Sequence, residues 1–118
     1  MEVFLILGGA GFIGLNFIKY LQKSTSNAFI VNVDKLTYAA NLNGLMQLEG
    51  NKNYIFIKED ICNKSGIESI FKTYNPDYVI NFAAESHVDR SIEDSETFIS
   101  TNVVGLHTLL QCSVNHRI

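Results

Sequence analysis

The feature that most constrains this chain is a glycine turn, Gly8-Gly9-Ala10-Gly11-Phe12-Ile13-Gly14, set between two segments of opposite periodicity. Before it runs an apolar stretch, Val3-Phe4-Leu5-Ile6-Leu7. After it comes an amphipathic stretch that reads as a helix with Ile13, Phe17 and Leu21 on one face. Strand, glycine turn and helix in that order form the setting in which a glycine fingerprint means dinucleotide binding. Gly8 allows the tight turn off the strand, Gly11 presents no Cβ to a pyrophosphate, and Gly14 lets the helix approach the sheet. The helix start adds free N–H groups and the positive end of a dipole. A glycine-rich βα turn without a ligand remains the alternative for the fingerprint alone.

An acidic residue strengthens the functional reading. Ala28 to Val33 reads as a second strand, and Asp34 follows at its end. That is close to the ~20-residue offset at which a carboxylate meets the adenosine ribose. Such a carboxylate accepts from both ribose hydroxyls and repels a 2′-phosphate, which favours NAD over NADP. Lys35 would partly offset that repulsion, and an ordinary strand-end turn is the other reading of Asp34.

The remaining elements follow in the same rhythm. Phe12 to about Lys23 reads as a helix and Asn41 to about Leu48 as a short one. Tyr54 to Ile57 reads as strand three, and Asn63 is placed to cap a helix that buries Ile67, Ile70 and Phe71. Tyr78 to Phe82 reads as strand four, followed by a long polar loop and a last helix from about Asp94 to Asn115. Strands alternating with helices imply a parallel α/β sheet, here the first half of a Rossmann-like doubly wound fold with strand order 3-2-1-4. Ligands of such sheets bind at the carboxyl ends of the strands. Those ends hold the glycine turn, Asp34, Asp60-Ile61 and the loop after Phe82. An aspartate beside an apolar residue suits an adenine; an Asx-type turn is the competing reading of Asp60.

Bulk properties exclude several classes. The 118 residues suffice for one domain with a real core. The formal net charge of −3, with no basic run, gives no electrostatic footprint for nucleic acid. No apolar stretch approaches the ~20 residues of a membrane span, and the N-terminus reads as running straight into a strand, so no signal peptide is expected. The two cysteines, Cys62 and Cys112, lack metal or redox spacing and read as reduced thiols of a cytoplasmic protein.

The segment Asn81-Phe82-Ala83-Ala84-Glu85-Ser86-His87-Val88-Asp89-Arg90-Ser91-Ile92 resembles the dTDP-glucose 4,6-dehydratases, extended short-chain dehydrogenase/reductases that act on nucleotide sugars. Val33-Asp34-Lys35-Leu36-Thr37-Tyr38 and Phe98-Ile99-Ser100-Thr101-Asn102-Val103 continue the resemblance, which covers essentially the whole chain. The Ala83-to-Ile92 string points to this family rather than to the sugar 4-epimerases.

The resemblance implies roles. Phe12 and Ile13 would line the pyrophosphate turn, and Asp34, Lys35, Leu36 and Thr37 would hold the adenosine ribose. Asp60 and Ile61 would flank the adenine. Phe82, Ala83, Ala84, Glu85 and Ser86 would run under the nicotinamide side, with Thr101 reaching the cofactor from the last helix and Ser86 also touching the substrate sugar. Arg90 would meet a diphosphate or pair with Asp89 or Glu93; His87 lacks partners for a metal, and no metal is expected. The chain departs from the family at Leu7, Leu15 and Ala40, where threonine, serine and glycine are usual.

In this family NAD takes a hydride from the sugar C4, water leaves across C5 and C6, and the hydride returns to C6. A Tyr-x-x-x-Lys helix and an acidic pair drive this chemistry, and the resemblance places both beyond Ile118. The expectation is therefore an NAD-binding domain over residues 1–118, without its fifth strand or the substrate domain. It would carry no catalytic residue and be inactive alone, and it would belong to a homodimeric enzyme when full length. A stand-alone nucleotide-binding fragment, or another extended short-chain dehydrogenase such as a 4-epimerase, is the alternative. Tyr54 and Lys58 share the Tyr-x-x-x-Lys spacing but sit on a strand, where i and i+4 lie about 13 Å apart; they read as structural.

Overall fold

The computed structural model describes residues 1–37, 40–84 and 88–118. Four parallel strands, β1 (Glu2–Leu7), β2 (Ala28–Asp34), β3 (Tyr54–Lys58) and β4 (Tyr78–Asn81), form one sheet in the order β3-β2-β1-β4. This is the expected order. The register sets Leu5 beside Val31 and Val79, and Leu7 beside Val33 and Asn81.

Both faces of the central strands are covered, which is why they read as continuous apolar runs rather than as alternations. On one face Leu5, Leu7, Val31 and Val33 pack with α3 (Lys64–Tyr74) and α6 (Leu106–Asn115) through Ile67, Phe71, Leu109 and Cys112. On the other, Ile6 and Ile30 pack with α1 (Phe12–Ser24) and α2 (Leu42–Leu48) through Leu15, Ile18, Leu45 and Leu48. The buried stripe of α1 is Gly14, Leu15, Ile18 and Leu21. Ile13 is 66% exposed and Phe17 half-buried, so the face expected from sequence is rotated by roughly one residue. Gly14 sets that rotation by pressing onto the glycine turn.

Caps fix the helix starts. Asn41 and Asn63 each accept the N–H three residues on, from Gly44 (2.8 Å) and Gly66 (3.2 Å). Asn75, left-handed at φ 46°, closes α3 before Pro76.

Two departures from the expected elements occur after β4. The stretch read as a polar loop contains a short helix, α4 (Val88–Glu93). The single last helix is instead α5 (Ser95–Ile99), a π-helical turn (Ser100–Gly105) and α6. Its start is as expected, with Asp94 accepting from the Thr97 N–H at 3.2 Å. Leu109 enters the core, whereas Leu106 and Leu110 stay exposed.

Candidate functional site

The carboxyl ends of β1, β2, β3 and β4 surround a cleft of about 610 Å³, part of it open to solvent. The glycine turn forms its floor. Gly8 has φ +83°, and a Cβ there would lie 2.5 Å from the Ala83 backbone nitrogen and 2.6 Å from the Phe82 carbonyl carbon. Both the backbone conformation and the approach of the β4 exit therefore require glycine. A Cβ at Gly11 would meet nothing nearer than the Gly8 carbonyl oxygen at 3.6 Å, so that side of the turn is open. A Cβ at Gly14 would run into the Gly8 carbonyl; the residue lets α1 sit on the turn itself rather than on the sheet. Helix α1 also starts without a side-chain cap at Gly11, unlike α2, α3 and α5, leaving its first N–H groups for a ligand.

Asp34 joins the turn to β2. One carboxylate oxygen accepts the Ala10 N–H at 2.9 Å, and the other accepts the Leu36 N–H at 2.8 Å. Each oxygen keeps a further lone pair. Leu36 takes φ +62°, a left-handed conformation uncommon for leucine, and packs against the α1–α2 core. On the far side of the turn Asn41 donates its N–H to the Ala10 carbonyl at 2.7 Å. Ala10 is thus held at both ends.

The opposite wall comes from the loop after β3. Asp60 accepts the Cys62 N–H at 2.9 Å, an Asx turn, while its other oxygen pairs with the Lys35 ammonium at 3.6 Å. Both side chains are about two-fifths exposed, so this pair contributes at most about 1 kcal/mol. Ile61 is buried beneath it. The π-helical turn closes the wall: Gly105 lies against Ile61 and Cys62, and the Cys62 thiol donates to the Ser100 carbonyl at 3.0 Å. Burial and then the Asp60 charge push the Cys62 thiol above its ordinary value, keeping it protonated. Thr101, on the same turn, is buried and faces the cleft.

Gly8, Gly11, Asp34, Lys35, Thr37, Asp60, Ile61, Phe82, Ala83, Ala84 and Thr101 line this cleft together. Ile13 lines an adjoining groove with Phe82, Ala83, Ala84 and Thr101. Phe12 projects into solvent at 82% exposure, Gly14 is buried under the turn, and Leu36 is partly buried against the core beside it. Glu85, Ser86, His87 and Tyr38 lie outside the described residues. Leu7, Val33, Ala40 and Glu59 also line the cleft, and the sequence reading gives none of them a binding role. Ala40 does not have positive φ, so the alanine brings no strain, and Leu15 fills the space over Gly44. Tyr54 is on β3, where its hydroxyl accepts from Asn32 at 3.0 Å; it is far from helical pairing with Lys58.

Residues 5–118 match the family model described as GDP-mannose 4,6 dehydratase. The chain belongs to this family. A dTDP-glucose 4,6-dehydratase of Haemophilus influenzae is 50% identical over 112 residues, covering 95% of this chain and 33% of that protein. The chain thus spans about a third of the length of the curated relatives it matches. Among solved structures of dehydratases, that from Streptomyces venezuelae with NAD bound superposes with a TM-score of 0.92 at 36% identity, over 99% of this chain and 37% of that one. The UDP-glucose 4-epimerase of Thermotoga maritima gives 0.85 at 29% identity, over 98% and 35%. The fold is common to dehydratases and epimerases; the sequence is nearer to the dehydratases.

Proposed function

We propose that this cleft binds NAD(H) and that the protein serves the NAD-dependent dehydration of a nucleotide-activated hexose, dTDP-glucose to dTDP-4-keto-6-deoxyglucose. The observation that carries the cofactor assignment is Asp34. Its carboxylate stands at the end of β2 beside the glycine turn, with lone pairs left over after its two backbone bonds. Two ribose hydroxyls can donate to it, and a 2′-phosphate would be repelled. The uncapped start of α1 and the open side of Gly11 fit a pyrophosphate.

On this reading Gly8, Gly11, Phe12, Ile13 and Gly14 form the pyrophosphate turn, and residues Asp34 to Thr37 hold the ribose. Asp60 and Ile61 flank the adenine, and residues Phe82 to Ser86 with Thr101 run along the nicotinamide side. Ser86 also meets the sugar. Bound NAD would supply a hydride acceptor and donor, and the residues of the cleft would bind and orient it. The 50% identity to a dTDP-glucose 4,6-dehydratase supports the choice of reaction. Homodimeric assembly and a cytoplasmic location complete the reading, the latter supported by two free cysteines. No helix among the described residues is long and apolar enough to cross a membrane.

Titration calorimetry with NADH and NADPH tests the cofactor. NADH should bind at least about tenfold more tightly, and Asp34→Ala should narrow the gap by removing the charge that a 2′-phosphate meets. Equal or tighter NADPH binding by the wild type would sink the assignment. For the reaction, the protein as its gene encodes it is incubated with NAD⁺ and dTDP-glucose, and a 4-keto-6-deoxy sugar is expected. Formation of a 4-epimer instead would move the protein to the epimerases.

A further inference from the structure

Below the glycine turn lies a buried polar side chain that does not line the cleft. Asn32 is in the middle of β2, between Val31 and Val33, and is fully buried. Its register partners are Ile6 on β1 and Phe56 on β3. Its amide nitrogen donates to the Tyr54 hydroxyl, one pleat back on β3, at 3.0 Å. Its amide oxygen has no hydrogen-bond partner among the described residues. A leucine or valine would fill such a site without leaving a buried acceptor unpaired, which costs stability. The unpaired oxygen points at the turn: of the atoms that a Cβ on Gly9 would meet, it is the nearest, and the Cβ would overlap it. Gly9 therefore rests on the amide with no side chain between them.

We propose that Asn32 is a positioning residue for the dinucleotide: its flat amide, held in one orientation by Tyr54, is the seat on which Gly9 rests. The inference rests on the NAD reading of the cleft. Asn32 and Asp34 project from the same face of β2, two residues apart. The first sets the height of Gly9, and the second bonds the N–H of the next residue, Ala10, at 2.9 Å. A turn that rides higher or lower over Asn32 pulls Ala10 off Asp34. The carboxylate then loses the bond that aims it at the ribose, and the first N–H groups of α1 move relative to the pyrophosphate. Losing a hydrogen bond to a charged group at such a site costs about 10- to 100-fold in affinity.

The test uses the protein as its gene encodes it, with NADH and NADPH affinities measured well below the melting temperature. The variants are Gly9→Ala, Asn32→Ala, their combination, and Tyr54→Phe. Gly9→Ala should weaken NADH binding about 100-fold, because the new methyl meets the amide. Asn32→Ala should weaken it about tenfold and lower the preference for NADH over NADPH, since the loss acts through Asp34. The double variant should bind about as well as Asn32→Ala alone, the methyl now having room. Tyr54→Phe, which keeps the ring and frees the amide, should shift the preference in the same direction. Asn32→Ala binding both cofactors as the wild type does, or a double variant as weak as the product of the single effects, overturns the proposal. So does a lowered melting temperature with an unchanged NADH:NADPH ratio, which is what packing alone would produce. If Gly9→Ala does not fold, the ratios of Asn32→Ala and Tyr54→Phe decide. A wild-type protein that binds neither cofactor refutes the NAD reading itself.

Discussion

On the face covered by α3 and α6, strands β1 and β2 present Leu5, Leu7, Val31 and Val33, all buried and apolar to their ends. On the face covered by α1 and α2 the same strands present Ile6 and Ile30, then Asn32, then Asp34. The two surfaces share a backbone, a register and a hydrogen-bond ladder. They differ because one stays apolar up to the cleft that Leu7 and Val33 reach, whereas the other turns polar as it nears it. There it carries a glycine turn, a half-paired amide and a carboxylate bonded to the turn. Apolar burial is non-directional and tolerates exchange; polar contacts demand particular atoms at particular distances. Stability should therefore concentrate on the first face and ligand discrimination on the second.

The strongest attempt to break this division is Phe71→Ala. Phe71 is fully buried between α3 and the sheet, and truncating it should cost about 3–5 kcal/mol in denaturant unfolding. The NADH affinity of the folded fraction should stay unchanged; a parallel loss of affinity would show the faces to be coupled. Gly8→Ala probes the other side. The left-handed φ and the backbone of Phe82 and Ala83 both oppose a methyl, so about 1–3 kcal/mol of strain is expected, with NADH binding lost by calorimetry. Retained binding would mean that the turn is not the ligand's seat. Asn63→Ala removes the α3 cap and should cost about 1 kcal/mol in the same unfolding assay, with no change in cofactor affinity.

The last test is a pH dependence seated on the apolar face. Burial, and then the Glu68 carboxylate that accepts its proton, push the Cys112 thiol up to about 11 from 9.0. The folded state thus holds this proton more tightly than the unfolded chain. The associated stability is complete below about pH 9 and lost as pH rises through about 11. Comparing wild type with Cys112→Ala by chemical unfolding across that window isolates the contribution from other alkaline titrations. An unchanged slope in Cys112→Ala would place the effect elsewhere.

The apolar face was also the more legible one. Ile67, Ile70 and Phe71 follow helical spacing behind an Asn63 cap, and the structure buries all three. The strand order follows from alternating strands and helices. At the cleft, Asp34 and the glycines were legible because each performs a local task that their residue type announces. What escaped depends on pieces brought together by the fold. Asn32 was hidden inside an apolar run, although a lone amide in a buried strand was the available signal. The left-handed Leu36 carries no glycine or asparagine to mark it. Helix α4 is short and polar, so its composition matched a loop. The π-helical turn has no sequence signature of its own; it forms where Gly105 must lie against Ile61 and Cys62.

That turn has a consequence for how the chain can tolerate insertion and deletion. A π turn accommodates one residue more than the α-helix around it, and each residue advances a helix by about 100°. Upstream, the rod must show Thr101 to the cleft; downstream, it must show Leu109 and Cys112 to the sheet. The widened turn is the phase correction between these two demands. Removing one residue between Thr101 and Leu109 would give a straight helix with both anchors still in phase, whereas straightening it at its present length would rotate one end by about a quarter turn relative to the other. In that straightened helix of unchanged length either anchor could be kept, but not both, so the widened turn, rather than the count of residues between the anchors, is what the two contacts require.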